Sequence, residues 1–272
     1  MKRLFIAIAS ILVTAHSAQA GELFSKNEPL PFEIGQTVKN TDTIGGYPVW
    51  DNGGKWRLLH LSVGYSTGRA MPAPLGSSYW IESKDKKMIS GMLVTANLTP
   101  NLSADWTDEP CKRDDFLFKK NLKGLHENIN CVSINHLVGF MVSPTGIYQS
   151  VLGVARDNGI EIPPTVLLVS VTRYHNNGRR YVAQIAINPE ADGFERATEP
   201  LWTLSPWHKS KAMNDPVKRA YIDSLSIWAE QFAMRVEKAF EKDASAFSGF
   251  GSWRGAQISS AQQARHIKPT FD

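Results

Sequence analysis

The feature that most constrains the fold is a long apolar stripe near the carboxyl end of the chain. Asp215 and Pro216 form a helix start, because aspartate caps free N–H groups and proline is favoured at the first helical position. Apolar residues then recur at offsets of three and four, namely Tyr221, Leu225, Trp228, Phe232, Val236 and Phe240. The pattern predicts an amphipathic helix over 216–243, about 42 Å long. We expect it to lie across a sheet; the alternative is a helix that binds a partner.

The chain before this helix is dominated by strand patterns. Apolar alternation and turn residues predict strands at 55–65, 78–83, 88–98, 131–142, 165–175 and 179–187. Asn177-Gly178 between the last two suits a type I′ turn, which needs positive φ at both central residues. One further helix is predicted after Ser143 and Pro144, ending at Asn158-Gly159. The expected fold class is therefore α+β, a mainly antiparallel sheet packed with two helices, including the long C-terminal one.

Composition along the chain suggests four segments. Residues 1–20 read as a signal peptide, and the Pro- and Gly-rich segment 21–54 as an extended N-terminal arm. Residues 55–243 are expected to form a single α+β domain, which is long enough to bury one sizeable core. The Ser-, Gly- and Gln-rich segment 244–272 has isolated aromatics without a period, so we expect a flexible tail.

The amino terminus has the pattern of an export signal. Lys2 and Arg3 precede an apolar run of about a dozen residues, and Ala18 and Ala20 supply the small residues of a cleavage site. A membrane-spanning helix needs roughly 18 or more apolar residues, which neither this run nor any later segment provides. We therefore expect cleavage after Ala20 and a mature protein that is periplasmic or secreted, without a transmembrane segment.

The charge balance argues against a nucleic-acid partner. The full chain carries 30 Lys and Arg residues against 26 Asp and Glu, and removal of the leader leaves 28 against 26. The charges are interspersed rather than gathered in a basic stripe, so the field at the surface is weak.

The two cysteines predict a disulfide. Cys111 and Cys131 are the only ones in the chain, and an exported protein matures where thiols oxidise. The alternative is a metal site formed by these two with His126 and His136. The spacing argues against that site, because Cys131 and His136 are five residues apart and point to opposite faces of a strand. We therefore assign no metal, and the charged stretch around Cys111 reads as a solvated loop between strands.

One motif suggests catalysis. GYSTG at 64–68 matches the G-x-S-x-G nucleophile elbow of α/β-hydrolases, with Ser66 as the nucleophile. That elbow requires a helix directly after the strand, and Pro72 and Pro74 leave no room for one. The simpler interpretation is a turn that follows a strand, and we assign no catalytic residue.

Loop aromatics suggest a binding surface. Trp202, Trp207 and His208 lie in a segment that neither helical nor strand periodicity explains. They could form a binding face for a glycan, a peptide or another envelope protein. The alternative is that they cover the sheet edge or the long helix.

Together these patterns indicate an exported, non-enzymatic binding or accessory protein of the bacterial envelope, without a cofactor. The expected partner is another envelope protein or a surface component. The alternative is a periplasmic serine hydrolase using Ser66.

Overall fold

A computed structural model describes residues 30–53, 55–65, 73–99, 106, 109–123, 128–138, 147–175, 177–199 and 201–254. The strands are β1 (Thr43–Ile44), β2 (Tyr47–Pro48), β3 (Arg57–Tyr65), β4 (Pro74–Lys84), β5 (Lys87–Asn97), β6 (Phe118–Lys123), β7 (Asn130–Val138), β8 (Thr165–Tyr174) and β9 (Arg180–Ile187). The helices are α1 (Glu109–Lys112), α2 (Ile147–Asp157), α3 (Lys209–Ala212) and α4 (Pro216–Phe240). The predicted leader, Ser66 and the Ser143-Pro144 helix start lie outside the described residues.

Seven strands form one antiparallel sheet. Their order is β3-β4-β5-β9-β8-β7-β6, and β1 and β2 form a separate two-stranded pair. Every neighbouring pair in the large sheet is antiparallel. The α+β prediction is therefore confirmed, and β5, β9 and β8 lie at the centre of the sheet. Among the described helices, none is both long and apolar enough to cross a membrane.

The prediction of a type I′ turn at Asn177-Gly178 is wrong. Gly178 has a φ of 79°, but Asn177 is not among the residues with positive φ. The His175 N–H donates to Arg179 O and the Gly178 N–H to His175 O, which makes a three-residue connection with glycine in the left-handed position. Positive φ at two central residues occurs instead at Asp85 (51°) and Lys86 (60°), between β4 and β5.

The long helix α4 covers one face of the sheet, which we call the helix face. Its first turn is capped as predicted, because the Asp215 side chain accepts from the N–H groups of Val217 and Lys218. All six residues of the predicted stripe are buried. They pack on inward residues of the central strands, including Val171 and Ile185. The helix therefore lies across the sheet, and it ends at Phe240 rather than at 243.

The predicted N-terminal arm is part of the core. The buried residues of this segment include Val38, Ile44, Tyr47, Val49 and Trp50. The Trp50 ring packs against Trp56 and Phe232 at centroid distances of 6.0 and 5.4 Å. The described part of the arm, residues 30–53, thus belongs to the same domain as the sheet, so the predicted boundary at residue 55 is corrected.

The first residues of the predicted flexible tail are also packed. Ala246, Phe247 and Trp253 are buried in the core beneath the helix face. The Trp253 indole N–H donates to the Tyr221 hydroxyl at 3.2 Å, and Arg254 pairs with Asp192 at 2.6 Å. Residues 244–254 are therefore ordered by aromatic burial, while residues 255–272 lie outside the described part.

The opposite face of the sheet is covered only at its two ends. At one end, Val151 and Ala155 of α2 pack on a cluster that includes Tyr79, Ile81 and Val166. At the other end, Cys111 of α1 packs with Ile129, Cys131 and Tyr174. We call this the open face, because no other described element stands over the region between the two clusters.

Candidate functional site

The disulfide lies at one end of the open face. Cys111 and Cys131 are bonded, with their Cα atoms 5.8 Å apart, and both are buried. The pairing agrees with the prediction. Cys131 faces the open side, whereas His136 on the same strand contacts Trp202 on the helix face, as the odd spacing requires. Within the described residues, no group of three His, Cys, Asp or Glu side chains is placed to hold a metal ion.

The charged loop around the disulfide forms local ion pairs. Arg113 pairs with Asp115, and Lys119 pairs with Asp114 at 2.9 Å. Hydrogen bonding from Lys119 lowers the pKa of Asp114, and hydrogen bonding from Arg113 lowers the pKa of Asp115, so these two carboxylates stay ionised at neutral pH. Phe116 and Leu117 of the same stretch are buried, and Phe118–Lys123 form β6. The predicted solvated loop is therefore corrected to a segment that packs through its apolar residues and carries its charges nearer the surface.

Trp207 does not belong to a binding surface. Its side chain is buried, with centroid distances of 4.9 Å to Phe194 and 5.9 Å to Tyr221 of α4. The structure therefore corrects its assignment as a surface residue and favours the alternative that it covers the long helix.

Trp202 and His208 form a partly buried cluster with His136. The Trp202 ring stacks on His136 at 4.8 Å, and the His208 ring meets Trp202 edge-on at 4.5 Å. The Trp202 indole N–H donates to His136 O at 3.3 Å, while His136 Nε2 lies 3.1 Å from Trp202 O. A carbonyl oxygen only accepts, so His136 Nε2 must carry the hydrogen. Burial lowers the pKa of His136, which favours a neutral ring.

Two exposed leucines flank this aromatic cluster. Leu201 is 57% exposed and Leu204 is 46% exposed. Their turn is held by a hydrogen bond from Leu204 N–H to Leu201 O at 3.0 Å and by Lys211 Nζ, which donates to Leu204 O at 2.6 Å. We call Leu201, Trp202, Leu204 and His208 the loop patch. Sequence reasoning missed its leucines, because LWTL has no lasting period.

A second candidate lies on the open face, between its two apolar clusters. Strand register brings seven neutral polar side chains to this side of six neighbouring strands. These residues are Ser62, Ser77, Thr95, Thr172, Gln184, Ser170 and Ser133, and we call them the polar strip. The sequence predicted most of the strands but not their order, so it gave no sign that these residues are neighbours.

Part of the polar strip is hydrogen-bonded internally. Ser77 and Thr95 hydroxyls lie 2.9 Å apart, and Gln184 Nε2 donates to Ser170 Oγ at 3.0 Å. Ser133 and Thr172 are at least nine-tenths buried. Neither side chain makes a hydrogen bond to any other residue in the described part of the chain, so both keep capacity for a bound molecule or for water.

Ser66 of the candidate nucleophile elbow follows Tyr65, the last residue of β3. Tyr65 pairs with Pro74 at the start of β4, and the two strands are antiparallel. Among the described residues the element after β3 is therefore a strand, whereas in the elbow a helix follows. Ser66 itself lies outside the described residues.

Comparisons with known proteins give little guidance. No family model matches the chain, and no curated protein matches it. One solved structure that matches is described as that of the possible transcriptional regulator YydK from Bacillus subtilis, with 10% sequence identity and a TM-score of 0.26. The match covers 50% of this chain and 57% of that structure's chain. Likeness at this level does not establish a shared fold or function.

Proposed function

We propose that the protein is an exported, non-enzymatic binding or accessory protein of the bacterial envelope that contacts another envelope protein through the loop patch. The observation that carries the proposal is the pair of exposed leucines beside the Trp202–His136 stack. Because Trp202 is already held by its stacking on His136, it loses little conformational entropy when a partner covers it.

Export is supported by two independent features. The first twenty residues have the pattern of a cleavable leader. The Cys111–Cys131 disulfide closes a loop with a sequence separation of 20, and such bonds persist mainly in oxidising compartments.

A protein partner is supported by the chemistry of the loop patch. Apolar groups around an aromatic side chain are typical of the centre of protein interfaces. The two nearby lysines already bind backbone carbonyls, with Lys209 Nζ 2.6 Å from Asp114 O and Lys211 Nζ 2.6 Å from Leu204 O. The patch therefore offers mainly apolar contact, which indicates an apolar surface on the partner.

Changing both leucines should weaken this contact strongly. We expect the Leu201→Ser/Leu204→Ser variant to weaken partner binding by about a hundredfold or more, because burial of each leucine in the interface contributes roughly 1.5 kcal/mol or more. Its unfolding free energy should change little, since both residues are exposed. The measurement is photo-crosslinking in the native cell from a reactive side chain placed at the exposed Thr203, in the parent protein and in the variant.

The matched control is Ile227→Ser/Met234→Ser. These residues are 64% and 59% exposed on α4, so the control removes similar apolar surface elsewhere. The control should keep the adduct. Equal adducts in the parent and the leucine variant, or the absence of any adduct in the parent, would contradict the proposal.

A further inference from the structure

We infer that the polar strip binds an uncharged, hydroxyl-rich ligand of the oligosaccharide class. This site lies on the open face, whereas the loop patch stands against the helix face through His136. The inference is therefore independent of the proposed partner contact and goes beyond it.

The strip has the shape of a groove floor. The α2 cluster forms one wall, through Val151 and Ala155 above Tyr79. The disulfide cluster forms the other wall, with Trp106 packed against it. Between the walls, Ser77, Ser133 and Thr172 are buried, and the other side chains of the strip are partly exposed. Six strands span five gaps of about 4.8 Å, which makes the floor about 24 Å long.

Its composition differs from that of an ordinary solvated sheet face. None of the seven side chains is ionisable, whereas a wet sheet face normally carries charged residues. A face destined for permanent protein cover would instead be apolar, as the two flanking clusters are. Ser133 and Thr172 are largely buried residues, and in the described part of the chain their hydroxyls have no hydrogen-bond partner, which favours a ligand that supplies hydrogen bonds.

The absence of charge in the strip narrows the ligand class. Nucleic acids and other polyanions require Lys or Arg contacts to their phosphates or carboxylates. Of the nearby cations, Lys119 lies opposite Ser133 and pairs with Asp114 at 2.9 Å. Arg180, another nearby cation, lies over the rings of Trp106 and Tyr174, at 5.0 and 5.2 Å. An extended peptide is recognised chiefly through a free strand edge, and the strip lies on the central face instead.

The remaining chemistry suits a sugar chain. Serine, threonine and glutamine both donate and accept, so they can pair with hydroxyl groups in either sense. Trp106 is partly buried at the wall and adds an aromatic side chain that combines apolar surface with a polar N–H. A row of such groups across several strands would hold consecutive units of a neutral oligomer.

The test is calorimetric titration of the oxidised protein with a neutral tetrasaccharide of N-acetylglucosamine and with one of glucose. At least one should bind with a dissociation constant on the order of 1 mM or tighter. A tetrasaccharide of galacturonate, which is anionic, and a neutral tetrapeptide should give no comparable heat. Binding of the anion or the peptide with equal affinity would overturn the inference. The absence of detectable binding heat from both neutral tetrasaccharides at millimolar concentration would also overturn it.

Variants locate the site. Gln184→Ala and the double change Ser133→Ala/Thr172→Val should each weaken sugar binding by about tenfold, because hydrogen bonds to the ligand are lost. The control Ser224→Ala removes an exposed hydroxyl from α4 and should leave affinity unchanged. The loop-patch variant should also bind normally. Unchanged affinity in both strip variants, with folding verified by thermal unfolding, would place the ligand elsewhere and contradict the inference.

Discussion

Replacing Glu237 with glutamine should lower the free energy of unfolding by about 3 kcal/mol or more. Glu237 lies on α4 and pairs with Arg173 of β8, whose side chain is only 2% exposed. Removing one partner of a buried ion pair leaves the other charge uncompensated, which is far more costly than losing a surface pair. The measurement is urea unfolding at neutral pH.

The geometry around Arg173 explains the size of this effect. Its Nε lies 2.7 Å from Glu237 Oε2, and its Nη1 donates to Tyr174 O at 2.6 Å and to Ile129 O at 3.3 Å. The guanidinium also stands 4.3 Å from the centre of the Phe240 ring. The Arg173 side chain is only 2% exposed, so water has little access to the cation once the carboxylate is lost.

The same carboxylate predicts a pH dependence. Burial alone would raise the pKa of Glu237, but hydrogen bonds from Lys123 and Arg173 outweigh it and hold the pKa below the ordinary value of 4.5. A lowered pKa in the folded state means that the stabilisation is complete above pH 4.5 and is lost as the pH falls through the folded value. Acidification below pH 4.5 should therefore destabilise the parent protein more than Glu237→Gln.

The control for this prediction is Glu230→Gln. Glu230 pairs with Lys120 at 2.6 Å, and the two side chains are 34% and 48% exposed. Loss of such a surface pair should change stability by less than about 1 kcal/mol. Equal losses of unfolding free energy in Glu237→Gln and Glu230→Gln would contradict the prediction that Arg173 depends on the Glu237 carboxylate.

Removing the disulfide should lower the free energy of unfolding by about 3 kcal/mol, because a loop of roughly twenty residues gains freedom in the unfolded chain. Cys111→Ala/Cys131→Ala tests this without leaving buried thiols. Both positions lie in a small cluster with Ile129 and Tyr174, separate from the core beneath α4. In the double variant, the increase in the rate of hydrogen exchange should therefore be largest in β6 and β7.

Reductant provides the control for the disulfide. It should shift the unfolding midpoint of the parent protein toward that of the double variant and should leave the variant unchanged. Unfolding curves of the parent that coincide with and without reductant would contradict a stabilising bond between Cys111 and Cys131.

The sequence predicted the fold class because the long helix and the main strands each keep one apolar period along their length. The stripe from Tyr221 to Phe240 matches a buried helix face, and Asp215 caps it as expected. Segments without a period were misjudged for the same reason. Trp50 and Trp253 are buried by distant partners, which no local pattern reveals. The connection between β8 and β9 has three residues, one more than the predicted two-residue turn.

The candidate sites depend on long-range neighbours, so the sequence predicted them only in part. Trp202 and His208 were identified as loop aromatics, but their contact with His136 arises because the loop returns to β7. Trp207 has similar local surroundings and is nevertheless buried. The polar strip requires the pairing of β5 with β9, two strands far apart in the chain.

Intact mass spectrometry of the native protein, without reductant, tests the proposed export most directly. The expected species begins at Gly21 and is lighter by two hydrogens than the reduced chain, because Cys111 and Cys131 are joined. A species that begins at Met1 and carries two free thiols would contradict export and, with it, the proposed role in the envelope.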